Sequence, residues 1–173
     1  MRPISGKDRP APARRSGGPA RDTAKARPAT APSGAATPPL AGYSGTPLPR
    51  KLGIKEGALV LLVGAPSGFE KTLGDLPVGV RVVRRTTAAP DLTLWFPAAR
   101  RELERDVHQR GIAATEKGGI WIAWPKKASG VATDLTETHV REAGLANGLV
   151  DFKICAIDAT WSGLRFARRR EPR

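Results

Sequence analysis

Trp124-Pro125-Lys126-Lys127-Ala128-Ser129-Gly130 holds the densest chemistry in the chain: two adjacent ammonium groups, a hydroxyl and a flexible glycine directly after an apolar run. Lysines beside loop amides and the positive end of a following helix can hold an anion. Asp134 and Glu137, three apart, have the spacing of a capping box and place that helix end a few residues downstream. The bland alternative for Lys126 and Lys127 is a solvated loop. A second loop, Gly64-Ala65-Pro66-Ser67-Gly68, has glycines that let a ligand approach the backbone. Pro66 removes one N–H donor there, and Arg84-Arg85 stand where a carboxylate would accept ribose hydroxyls. Gly64, Ser67 and Gly68 therefore read as either a ligand loop or a tight turn over the sheet, and Arg84 as a contact for a phosphorylated ligand. With Trp124 and Asp158, which sits in the short turn before Trp161, these residues are the candidate ligand-binding set.

No catalytic residue can be assigned. Cys155 lies in an apolar stretch and reads as a buried, inert thiol, while His108 and His139 have no neighbouring Ser or Cys motif and read as structural. Neither a nucleophile elbow nor a paired-carboxylate spacing is present. One cysteine excludes a disulfide framework, and with two histidines no metal site is expected.

The elements that must position these loops follow from the apolar pattern. Ala58 to Val63, bounded by Gly57 and Gly64, reads as a strand buried on both faces. Phe69 to Leu73 is a short helix or turn, Val80 to Val83 a second strand and Leu92 to Phe96 a third. Pro97 suits the first turn of a helix reaching about Gln109, with Ala99, Leu103 and Val107 on one face. Ile120 to Trp124 is a fourth strand, followed by a helix carrying Val140, Ala143 and Asn147 along one side and stopping at Gly148. Val150 to Ile157 and Trp161 to Ala167 close the chain as a hairpin.

This order predicts an α/β fold with a mostly parallel sheet and a C-terminal antiparallel hairpin, similar to the class I methyltransferase variant of the Rossmann architecture. In such sheets ligands bind beyond the carboxyl ends of the strands. The loops after the first, third and fourth strands should meet there, joined by the hairpin turn at Asp158, because it follows a strand of the same sense.

Charge is distributed unevenly over the 173 residues. Of 29 Lys plus Arg and 16 Asp plus Glu, residues 1–41 hold 8 and 2, residues 42–164 hold 16 and 13, and the last nine hold 5 and 1. A near-neutral body with basic ends excludes a wholly basic nucleic-acid-binding fold but leaves contact through the ends open. Residues 1–41, with eight prolines, ten alanines and only Ile4 and Leu40 as large aliphatics beyond Met1, are expected to be a disordered tail. A single domain is expected over 42–167, with a basic terminus over 168–173. No apolar run reaches the roughly 20 residues needed to span a bilayer, and no secretion signal is evident, so a soluble, cytoplasmic protein is expected.

Several segments together resemble a bacterial family, the one designated domain of unknown function 3052. They are Gly-Tyr-Ser-Gly-Thr-Pro-Leu at 42–48, Lys-Leu-Gly-Ile-Lys at 51–55, Val-Gly-Ala-Pro-Ser-Gly-Phe at 63–69, residues 124–137 in full, and Thr-Trp-Ser-Gly-Leu-Arg-Phe at 160–166. The resemblance covers 42–167 and implies that 124–137 and 160–166 are the family's signature; it brings no activity, cofactor or catalytic residue. Three functional classes stand. The first is a binding domain, leaning non-enzymatic, for an anionic small molecule or acidic protein partner at the strand ends. The second is a small transferase with a nucleotide-type cofactor, and the third a nucleic-acid-associated protein acting through its basic tails.

Overall fold

Pro49 lies in the first turn of the opening helix, α1 (Leu48–Leu52), where its missing N–H leaves no bond unmade. The computed structural model describes residues 45–170; the tail expected over residues 1–41 lies outside the described residues. The elements that follow α1 are β1 (Leu59–Val63), the one-turn α2 (Phe69–Leu73), β2 (Arg81–Val83), β3 (Leu92–Trp95), α3 (Arg100–Thr115) and β4 (Gly119–Pro125). A 3-10 turn (Lys127–Ser129), α4 (Glu137–Ala146), β5 (Leu149–Ala156) and β6 (Trp161–Arg168) complete the chain.

The sheet order is β2-β1-β3-β4-β6-β5. The first four strands are parallel, and β6 inserts antiparallel between β4 and the edge strand β5. This is the Rossmann-like, class I methyltransferase-like arrangement that the alternation of elements predicts. Because β5 runs in the same sense as β4, the turn after it falls at the carboxyl ends of the parallel strands.

Each face of the sheet buries its own core. Val60, Leu62, Leu94 and Trp121 pack against Leu52, Phe69 and Leu73 from α1 and α2. On the opposite face Trp95, Ile122 and Phe166 pack against Leu103 and Val107 of α3 and Val140 of α4. Trp121 also donates its indole N–H to the Leu52 carbonyl at 3.0 Å, which fixes α1 on the sheet and satisfies a buried donor.

The structure corrects four readings. Pro97 lies ahead of α3, whose N-cap is Ala99; Glu102 reaches back to accept the Ala98 N–H at 2.8 Å, so a carboxylate makes that entry. The helix runs six residues beyond Gln109, to Thr115, because Gly111, against Leu149, and Ala114 continue its buried stripe. Asp134 does not cap α4: Thr136 does, accepting the His139 N–H, while Asp134 accepts the Arg100 N–H of α3 at 2.8 Å and so ties two helix starts together. Finally, β1 is not buried on both faces. Val60 and Leu62 are fully covered, but Leu61 and Val63 remain half-buried because residues 84–91, which join β2 to β3 across that face, form no helix.

Gly144 of α4 tests the packing of this layer. In an exposed helix Gly→Ala stabilises by about 1 kcal/mol. Here a Cβ would press into the fully buried ring of Phe166. Gly144→Ala should therefore destabilise, by roughly 1–3 kcal/mol, seen as a lower midpoint in chemical denaturation; an unchanged or higher midpoint would show that α4 sits more loosely.

Candidate functional site

The strand-end loops meet as expected, and a chain of contacts runs through them. After β1 the backbone turns at Gly64 (φ 65°), where a Cβ would come within 2.6 Å of the Phe96 carbonyl, so only glycine lets the loop lie against the end of β3. Phe96 then stacks edge-on with Phe69 at 4.9 Å and with Trp161 at 5.1 Å. Trp161 starts β6, and the turn before it is built by Asp158, whose Oδ1 accepts the Thr160 and Trp161 N–H groups at 2.8 and 2.7 Å.

Lys126 joins that turn to the loop after β4. Its backbone N–H donates to the Thr160 carbonyl at 2.7 Å, and its Nζ donates to the Asp158 carbonyl at 2.6 Å. The ammonium is therefore half-buried and partly engaged, rather than simply solvated. It keeps two further donors. Lys127 is exposed beside it at the start of the 3-10 turn. The Ser129 hydroxyl donates to the Lys126 carbonyl at 2.6 Å and accepts the Val131 N–H at 3.3 Å, so it shapes the loop.

The remaining candidates are placed apart from this group. Trp124 is buried with Leu135 on the α3/α4 face, opposite to Phe96 and Trp161. Ser67 and Gly68 are exposed, Gly68 serving at φ 75° as the residue that starts α2. His139 contributes to the junction of α3 and α4, with Nδ1 at 3.1 Å from the Asp134 carbonyl and Nε2 at 3.1 Å from an Arg100 guanidinium nitrogen. His108 is exposed on α3. Cys155 is half-buried at the edge of the core rather than buried; the desolvation still pushes its thiol above the ordinary value, with Lys51, Lys153 and Lys126 opposing, so it stays protonated at neutral pH.

Arg84 has a role the sequence did not reveal. Directly after β2, its guanidinium donates to the Ala65 and Pro66 carbonyls, both at 2.9 Å, and pairs with Glu70 through bonds of 2.8 and 3.1 Å. It clamps the glycine loop to α2, engaging four of its five N–H donors. The partner, Glu70, stands fourteen residues away, and no local periodicity links the two.

Among the described residues no group of three or more His, Cys, Asp or Glu could hold a metal ion, and no helix is long and apolar enough to cross a membrane. No family model matches the chain, and no curated protein matches it. Solved structures with a similar chain trace do exist. A protein described as a type 11 methyltransferase from Sulfolobus solfataricus is 13% identical with a TM-score of 0.49, over 72% of this chain and 90% of that one. A TehB-like SAM-dependent methyltransferase from Corynebacterium glutamicum is 13% identical with a TM-score of 0.44, over 75% and 91%. The magnesium protoporphyrin IX methyltransferase of Synechocystis PCC 6803 is 12% identical with a TM-score of 0.43, over 67% and 72%. At such identities, and with TM-scores below 0.5, none of them carries an argument about what this chain does.

The position after β2 carries no acceptor for a ribose diol such as that of S-adenosylmethionine. A ribose diol needs an acceptor after β2. Here that position holds a cation, already bonded to the carbonyls of the very loop that would face the cofactor.

The clamp predicts a titration. Arg84, by hydrogen bonding above all, holds the Glu70 carboxyl below its ordinary value of 4.5. A carboxyl that binds protons less readily folded than unfolded contributes stability that is present above the unfolded value and lost as pH falls through the folded one. An NMR titration should place Glu70 below 4.5, and Arg84→Ala should raise it toward the ordinary range, a backbone hydrogen bond continuing to lower it; an ordinary value in the parent would mean that the pair is not held in solution.

Proposed function

We propose that this chain is a binding domain for an anionic small molecule, held at the carboxyl ends of the strands by Lys126 and Lys127. The observation that supports this most is the engagement of Lys126 with the hairpin turn. Its Nζ bond to the Asp158 carbonyl and its N–H bond to the Thr160 carbonyl fix one ammonium in place, with a second, exposed one adjacent. A lysine held by its neighbours loses less rotamer freedom on meeting a ligand than a freely solvated one, and rotamer loss is a main cost of binding.

The other charged groups near the strand ends support the assignment by being occupied elsewhere. Arg84 is paired with Glu70, and the Asp158 carboxylate accepts two turn amides. The Arg84–Glu70 pair is close to neutral, whereas the Asp158 carboxylate keeps its negative charge beside Lys126, so the field offered to a ligand is that of the two lysines less one carboxylate. Both belong to the segment 124–137 that carries the family resemblance.

A second reading, a small methyltransferase-like transferase with a nucleotide-type cofactor, draws support from the fold. The Arg84 clamp weighs against it, so the leaning is toward a domain without group-transfer chemistry.

Inorganic pyrophosphate should raise the melting temperature of the full chain, by mass action on the folded state. Lys126→Ala/Lys127→Ala should abolish that rise while lowering the ligand-free melting temperature by no more than a few degrees, since one exposed side chain and one partly exposed hydrogen bond are lost. S-adenosylmethionine should leave the melting temperature unchanged. If S-adenosylmethionine stabilises the chain instead, the transferase reading replaces this one; if the double variant responds to pyrophosphate as the parent does, the lysines are a solvated loop.

A further inference from the structure

The uncovered part of the α3/α4 face is hollow. A cavity of about 340 Å³ lies between β1, β3, the 84–91 connection and the later turns of α3. Small-molecule sites span roughly 300–1,000 Å³. Most of its wall is aliphatic, from Leu61 and Val63 of the sheet, Pro90 of the connection, and Ala113 and Ala114 of α3. The connection is held in shape by a local turn, in which the Thr86 hydroxyl accepts the Ala88 N–H at 3.0 Å.

Of the polar side chains that line this space, Thr93 and Arg110 each have a hydrogen-bonding atom without a partner. Thr93 is only 3% exposed, and its Oγ1 has no partner. Arg110 has a buried Nε that is also unpartnered. Buried polar atoms are almost always satisfied; of the four such atoms without a partner among the described residues, those of Thr93 and Arg110 belong to side chains that line this cavity. The Arg110 guanidinium sits 5.3 Å above the ring of Trp95, which fixes its position. Its other link is one long bond, 3.4 Å, to Asp106, a carboxylate held more closely by Arg105 at 2.6 and 3.0 Å.

We propose that this cavity binds a small, largely apolar molecule that presents an acceptor oxygen, carboxylate or carbonyl, to Thr93 and Arg110. An acceptor is required because a guanidinium can only donate and a hydroxyl can donate. The body is apolar because the walls are. Glu116 lines the cavity as well, at the carboxyl end of α3, and both that charge and the negative helix end oppose a multiply charged group such as a phosphate. This site lies on the side of the sheet away from Phe96 and Trp161 and does not rest on the reading of Lys126 and Lys127.

Octanoate and 2-octanone, added to the full chain, separate the two sources of the acceptor. One of them should raise the melting temperature and give a saturable calorimetric titration: octanoate if the ligand is a carboxylate, 2-octanone if it is a carbonyl compound. Thr93→Val should weaken that binding about tenfold. Without ligand the same variant should melt no lower than the parent, because it loses a hydroxyl that has no partner there. Ala113→Phe, at an exposed position on the cavity wall, should abolish binding by filling the space, with its own melting curve showing that it folds. The proposal is overturned if neither probe binds, if Ala113→Phe binds as the parent does, or if Thr93→Val leaves the affinity unchanged.

Discussion

A parallel sheet has two faces to cover, and this chain covers one of them incompletely. The path from β2 to β3 crosses the α3/α4 face through residues 84–91 without forming a helix. Much of the rest follows from that shortage. Leu61 and Val63 remain half-buried although they alternate with the fully buried Val60 and Leu62. The later turns of α3, with Arg110 and Ala114, are drawn against the gap, and Arg110 comes to rest over Trp95. What stays open is an apolar cavity with two unpaired polar atoms.

At the carboxyl ends of the strands the outcome is governed by which cations are already engaged. Arg84 is bound to two loop carbonyls and a carboxylate, so the glycine loop is closed on itself from the β2 side. Lys126 is anchored to the hairpin turn yet keeps donors, and Lys127 has none of those restraints. The aromatic chain of Phe69, Phe96 and Trp161 supports both loops from beneath the same face of the sheet. Charge is thus left available on the β4 side of the fold, away from the β2 side where a nucleotide-type cofactor would need a carboxylate.

Local signals made most of the fold legible in the sequence. Apolar patterning and turn residues marked all six strands to within about a residue, and the hairpin spacing placed Asp158 at the strand ends. Features created by long-range contacts were not legible. The capping pattern at Asp134 and Glu137 was present, but Asp134 serves Arg100, thirty-four residues away. Arg84 read as a free cation because Glu70 and the Ala65 and Pro66 carbonyls come within reach only after β2 pairs with β1. Trp124 looked like part of the loop chemistry, but strand alternation turns it to the helix-covered face. Thr93 and Arg110 gave no signal at all, since an unmet hydrogen bond exists only once a fold has formed around it.

Amide chemical-shift mapping on the full chain, with pyrophosphate and S-adenosylmethionine titrated separately, probes the central claim most directly. The claim is that the open end of this sheet offers lysines rather than a cofactor loop. Pyrophosphate should then move the resonances of Lys126 to Gly130 and of Asp158 to Trp161, while S-adenosylmethionine leaves Gly64 to Phe69 and Arg84 in place. Saturable shifts at Gly64 to Phe69 and Arg84 on adding S-adenosylmethionine, with none at Lys126 or Lys127 on adding pyrophosphate, would contradict it.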